Sequence, residues 1–102
     1  IRIFCIINIK MNLKDKIKDK GHVFGTWAMM AGSTNADAIS KSGLDFIVLD
    51  LEHGTLSYSD CENMVRAIDQ NGCSSIIRIG EFSNNKVLHA LDLGAKSILV
   101  PN

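Results

Sequence analysis

The chain has little that would tie it to nucleic acid or an anionic membrane. Lys and Arg number 11 and Asp and Glu number 11, so the formal net charge is 0, and a balanced surface has no electrostatic footprint for a polyanion. Proline occurs once, as Pro101, which excludes Pro-rich linkers. The three cysteines are Cys5, Cys61 and Cys73. No pair has C-x-x-C spacing, so a disulfide framework is not expected and a zinc site of cysteine alone is excluded. Reduced thiols in a cytoplasmic protein are the expected state. The apolar start Ile1 to Ile9 is too short to span a bilayer. It has no small-residue cleavage site after it, so it is a poor secretory signal. Met11 is read as a start, with residues 1–10 an upstream extension or flexible start; a β-strand there is the alternative.

What remains is an ordinary globular composition, 46% hydrophobic and 22% charged, in 102 residues and 11.2 kDa. That is one domain's length or less. Leu13 and Ile17 lie four apart among charged residues, with Gly21 after them. This predicts a short surface helix with a glycine C-cap, its charge run a solvated face. Val23 to Ala28 reads as a first buried strand.

A unit then repeats. Ser33 or Thr34 can cap a helix to about Ser42, Gly43 ends it, and Leu44 to Asp50 is a strand. Ser59 and Glu62 fit a capping box, S-x-x-E. Cys61, Met64, Val65 and Ile68 form one helical stripe, Gly72 closes it, and Ser75 to Ile79 is the next strand. Ser83 caps a third helix with Val87, Leu88 and Leu91 on one face. Gly94 closes that helix, and Ser97 to Val100 is the fourth strand. Strands apolar on both faces belong to parallel sheets covered by helices. The expected fold is α/β, the N-terminal half of a (β/α)8 TIM barrel with about four strands and their helices. A four-stranded doubly wound sheet is the alternative, without support for a dinucleotide site because no G-x-G-x-x-G follows the first strand.

In such folds chemistry collects at the C-terminal ends of strands. The second strand ends Asp50-Leu51-Glu52-His53-Gly54, two carboxylates and an imidazole in four residues. Asp50 is close enough in sequence to orient a ring nitrogen of His53, which suits general-base work; alternatively both satisfy backbone groups of a loop. Arg78 interrupts an apolar run near the end of the third strand. It can grip a carboxylate or an enolate oxygen, or pair with Asp50 or Glu52, or both. Trp27, at the end of the first strand, is either an aromatic wall or core packing. Asp92 lies near the end of the third helix, toward the opposite end of the barrel, where an aspartate is usually structural. His22 and His89 stand isolated. There is no G-x-S-x-G, no Walker loop and no H-E-x-x-H, so no nucleophile or zincin motif is present.

These residues resemble the HpcH/HpaI aldolase family, whose typical member is 4-hydroxy-2-oxoheptanedioate aldolase, a class II pyruvate aldolase. The likeness runs over residues 13 to 102. It rests on Gly25-Thr26-Trp27, on Asp50-Leu51-Glu52-His53-Gly54, on Arg78 25 residues after the histidine, and on Leu91-Asp92-Leu93-Gly94-Ala95 followed by Val100-Pro101. The resemblance implies a partial barrel domain over 11–102 and a lyase cleaving a 4-hydroxy-2-oxo acid to pyruvate and an aldehyde. It implies His53 as acid/base with Asp50 as its partner, and Arg78 binding the pyruvate oxygens. It matches Asp92 to an aspartate that increases the basicity of the histidine, across a subunit contact or indirectly, and Trp27 to an aromatic near the pocket. It further implies a homo-oligomer and a divalent metal cofactor (Mg, Mn or Co) acting as Lewis acid. The metal's Glu and Asp ligands lie on later strands outside this chain, so no residue here is assigned to metal. The chain alone is therefore expected to be inactive. Competing readings are a citrate-lyase β-like CoA-ester lyase, which should carry a basic patch that is not evident, and a non-catalytic half-barrel that pairs with another chain.

Overall fold

A computed structural model describes residues 12–101; the reading of residues 1–10 lies outside the described residues. The elements alternate: α1 (Leu13–Lys20), β1 (Gly25–Ala28), α2 (Ser33–Ser40), β2 (Phe46–Asp50), α3 (Tyr58–Asp69), β3 (Ser74–Arg78), α4 (Asn84–Asp92) and β4 (Ile98–Leu99). The strands form one parallel sheet in the order β1-β2-β3-β4. That sequential order has no switch point, so the doubly wound alternative is set aside and the half-barrel expectation holds.

The sheet's two faces have separate jobs. Ile47, Leu49, Ile77 and Ile79 pack against the helices with Cys61, Met64, Val65 and Ile68, all at most 2% exposed. The α3 stripe read from the sequence is thus the centre of the helix-side core. The alternate strand residues face the other way. In register across that second face stand Trp27, Val48 and Ile76, then Asp50, Arg78 and Leu99. A Cβ on Gly25 would fall 2.3 Å from the Phe46 ring, so a larger residue there would have to displace that ring.

Several local expectations are corrected. The capping box of α3 is Ser57 with Asp60, not Ser59 with Glu62. Ser57 Oγ accepts from the Asp60 N–H at 3.1 Å, and the Asp60 carboxylate accepts from the Ser57 N–H at 2.8 Å. The helix therefore starts earlier, and Glu62 is left to pair with Arg66 at i,i+4. Neither Ser33 nor Thr34 caps α2; Gly32 holds the N-cap position without a side-chain bond, and the helix ends at Ser40. Ser83 does cap α4, accepting from the Lys86 N–H. The buried face of α4 is Ala90, flanked by Val87 and Leu93, while Leu88 and Leu91 are exposed.

The charge run of α1 is more than a solvated face. Asn12 and Gly21 cap the helix, and Lys16 is buried, its ammonium donating to Asp45 O at 2.9 Å and Gly72 O at 2.7 Å. These carbonyls precede β2 and β3, so one lysine ties the helix to the N-terminal end of the sheet. Lys16→Met should leave both carbonyls without that donor and cost about 1–3 kcal/mol, read as a lower urea midpoint at unchanged m-value.

Candidate active site

The polar cluster forms where β2 and β3 end. Asp50 and Arg78 are register partners at the last position of their strands, so strand alternation puts both side chains on the second face. Asp50 is fully buried. Arg78 meets it in a fork, Nε donating to Oδ1 at 3.2 Å and Nη2 to Oδ2, the bidentate geometry that favours arginine over lysine. The Trp27 indole N–H donates to Asp50 Oδ2 at 3.1 Å. Its ring also carries the guanidinium carbon 5.2 Å from the centroid, a cation–π contact. Trp27 therefore belongs to the wall of this cluster, and it is half exposed.

After β2 the chain turns back on the same carboxylate. The backbone N–H groups of Glu52 and His53 donate to Asp50 Oδ1 at 2.8 and 3.1 Å. The turn is tight enough that a Cβ on Gly54 would lie 2.8 Å from the Asp50 carbonyl oxygen, which accounts for the glycine after the histidine. Arg78 in the first place, then these backbone donors and Trp27, outweigh the cost of burial and hold the Asp50 carboxyl well below the usual carboxylate range. Asp50 in turn pushes the Arg78 guanidinium above its ordinary value.

The sequence leaves Asp50 free either to orient the His53 ring or to satisfy backbone groups of the loop, and the structure shows the second, because the turn aims N–H groups at the carboxylate. The carboxylate beside the ring is Glu52. Its Oε1 lies 3.4 Å from His53 Nε2 and 3.3 Å from Arg78 Nη1. Sequence reasoning named Glu52 only as a possible partner of Arg78; the signal for more was its place in the turn that directly follows Asp50. The His53 side chain is 69% exposed, open to a ligand.

Asp92 is not brought to this cluster. It is the last residue of α4, a helix that runs back from the end of β3 toward the start of β4, and it is exposed. His22 stays away from the cluster, edge-on to Phe24, and His89 stacks on Tyr58. The Cys61 thiol is pushed up to about 11, chiefly by burial, which leaves it protonated and without a nucleophilic role. Among the described residues no group of three or more His, Cys, Asp or Glu side chains could hold a metal ion; both carboxylates of the cluster are engaged by Arg78. No described helix is long and apolar enough to cross a membrane.

No protein-family model matches the chain. Among curated proteins it is 33% identical over 87 residues to 2-dehydro-3,6-dideoxy-6-sulfogluconate aldolase of Pseudomonas putida, covering 83% of this chain and 33% of the relative. It is 28% identical over 92 residues to the hydroxypyruvate/pyruvate aldolase of Paraburkholderia phytofirmans, covering 88% and 35%. Among solved structures it matches an HpcH/HpaI aldolase from Desulfitobacterium hafniense with a TM-score of 0.80 and 26% identity, over 90% of this chain and 36% of that one. It matches the citrate synthase SbnG with a TM-score of 0.81 and 27% identity, over 88% and 37%. The chain spans about a third of the length of the curated relatives it matches.

Proposed function

We propose, on the premise that this chain belongs to the HpcH/HpaI aldolase family, that it carries the acid/base and oxyanion-binding part of an aldolase site. The reaction is cleavage of a 4-hydroxy-2-oxo acid to pyruvate and an aldehyde. The observation that carries this reading is the Asp50–Arg78 fork at the ends of β2 and β3, with His53 exposed beside it.

The chemistry follows from the groups present. Two of Arg78's five N–H donors are engaged by Asp50, and Glu52 pairs with the guanidinium by charge alone at 3.3 Å. The remaining donors can meet the oxygens of the 2-oxo acid, and the charge stabilises the enolate that develops as the C3–C4 bond breaks. His53 takes the C4 hydroxyl proton as the aldehyde forms and can return a proton to the enolate carbon. Asp50 and Trp27 fix the guanidinium, and the half-exposed Trp27 ring also stands as an aromatic wall for the substrate. Asp92, at the far end of α4, is assigned to a contact with a second copy in a homo-oligomer. The metal expected from the family has no ligand set among the described residues, and the steps assigned here belong to the chain's own side chains.

The test is pyruvate release from a panel of 4-hydroxy-2-oxo acids by the protein that bears this chain in its host. Arg78→Lys keeps the charge but loses the fork, so kcat/KM should fall roughly 10- to 100-fold, equivalent to about 1.4–2.7 kcal/mol of transition-state binding. Absence of pyruvate release from every member of the panel would overturn the reading.

A further inference from the structure

We infer that Lys86 is a specificity-determining residue of this site, and that its ammonium receives a second anionic group, a carboxylate or a sulfonate, on the aldehyde half of the substrate. The inference rests on the reading of the cluster as an aldolase site.

Lys86 reaches the strand ends from α4. It is the third residue of that helix, and its backbone N–H donates to the Ser83 hydroxyl at 3.2 Å. The β3 ladder continues one residue past the strand, where the Ile79 N–H donates to Leu99 O at 3.1 Å. Ile79 is buried in the helix-side core, so alternation directs position 80 to the face that bears Arg78. A Cβ on Gly80 would lie 3.4 Å from Lys86 Nζ and 3.7 Å from Leu51 O. Leu51 follows Asp50 directly, and its N–H donates to Arg78 O at 2.9 Å. The Lys86 ammonium therefore stands where β2 and β3 end, on the same rim as the Asp50–Arg78 fork.

Its charge is not taken up within the fold. The ammonium groups of Lys16, Lys20 and Lys41 each donate to an oxygen. Among the described residues Lys86 Nζ has no acceptor at hydrogen-bond distance. Glu81, the carboxylate it approaches, is 4.0 Å away with a side chain 71% exposed, whereas the Lys86 side chain is 36% exposed. An ammonium has three donors, and partial removal from water strengthens its attraction for an anion. Arg78 already serves the 2-oxo acid end. A substrate with an anion beyond C4 would be held at both ends, and a neutral one at one end only.

The test is calorimetric binding of 2-oxo acids that cannot be cleaved, to the protein that bears this chain in its host. The pairs are matched in length: 2-oxopentanoate against 2-oxoglutarate, and 2-oxohexanoate against 2-oxoadipate. The wild type should bind the diacid of at least one pair roughly 10-fold more tightly or better, the scale of one charge-assisted hydrogen bond. Lys86→Met should bring that preference to within about 2-fold and leave the affinity for the monoacid unchanged, which also shows the fold intact. Lys86→Arg should keep it. The sulfonate 2-oxo-4-sulfobutanoate, set beside 2-oxoglutarate, tells which anion fits better. A wild type without preference for any anionic member would overturn the inference, as would a Lys86→Met variant that retains the preference. Monoacids bound without such a preference fault the role of Lys86 alone; no binding of any 2-oxo acid faults the proposed function itself.

Discussion

Asp50→Asn should lower the stability of this fold by about 3–5 kcal/mol, the usual cost of removing one partner from a buried ion pair. The change is nearly isosteric, so packing is not the cause. Every group around Asp50 is a donor: the Arg78 guanidinium, the Trp27 indole N–H and two backbone N–H groups. An asparagine can accept on one oxygen only and must turn its own NH2 toward donors, leaving Arg78 without its counter-charge. For a chain of about this size, 3 kcal/mol lowers Tm by roughly 12–24 °C, read by circular dichroism. The double variant Asp50→Leu with Arg78→Met should recover only part of that loss: it carries no unpaired charge, but the Trp27 indole and the Glu52 and His53 backbone N–H groups lose their acceptor. A Tm within a few degrees of wild type for Asp50→Asn would mean the fork contributes little.

The same carboxylate sets an acid limit. Its folded pKa is depressed, chiefly by Arg78, so its stabilisation is fully present above the unfolded value of about 3.9. It is lost as pH falls from there toward the folded value, because the unfolded state then binds the proton first. The stability gap between wild type and Asp50→Asn should therefore be wide at neutral pH and narrow below about pH 4. Urea midpoints at a series of pH values measure it.

Much of this was legible from the sequence because periodicity alone carries it. The stripe Cys61, Met64, Val65, Ile68 names a helix and its buried face without any tertiary knowledge, and all four are buried. Arg78 within Ile76-Ile77-Arg78-Ile79 had to lie on the polar-tolerant face of its strand, and the register puts it opposite Asp50. What was not legible depends on turn geometry and on distant partners. The S-x-x-E of Ser59 and Glu62 and the S-x-x-D of Ser57 and Asp60 both fit the capping pattern. Only the extended backbone at Ser57 decides between them. The burial of Lys16 required knowing that the carbonyls of Asp45 and Gly72, 29 and 56 residues away, converge at the base of the sheet. Leu88 and Leu91 fit an apolar face by spacing, yet the smaller Ala90 is the residue α4 buries. The partner of Asp50 stays open in the sequence for a related reason, since three residues of separation permits a contact with the His53 ring and one with its backbone alike.

His53→Ala should separate chemistry from stability in the opposite sense to Asp50→Asn. In the protein that bears this chain, kcat for pyruvate release should fall about 10²–10⁴-fold, the usual contribution of a general acid–base. KM should change little, because the proposed substrate grip lies with Arg78. Stability should stay within about 0.5 kcal/mol, the range for exposed positions, since the side chain is 69% exposed and makes no core contact. The turn itself survives, because Asp50 holds the backbone N–H of residue 53 and not its ring. Loss of turnover with an unchanged melting curve would then be a loss of proton transfer alone. Turnover within a few-fold of wild type would remove His53 from the base position, and the cluster would reduce to an oxyanion clamp. A large drop in Tm would instead make His53 a structural residue of the β2 turn, which its exposure argues against.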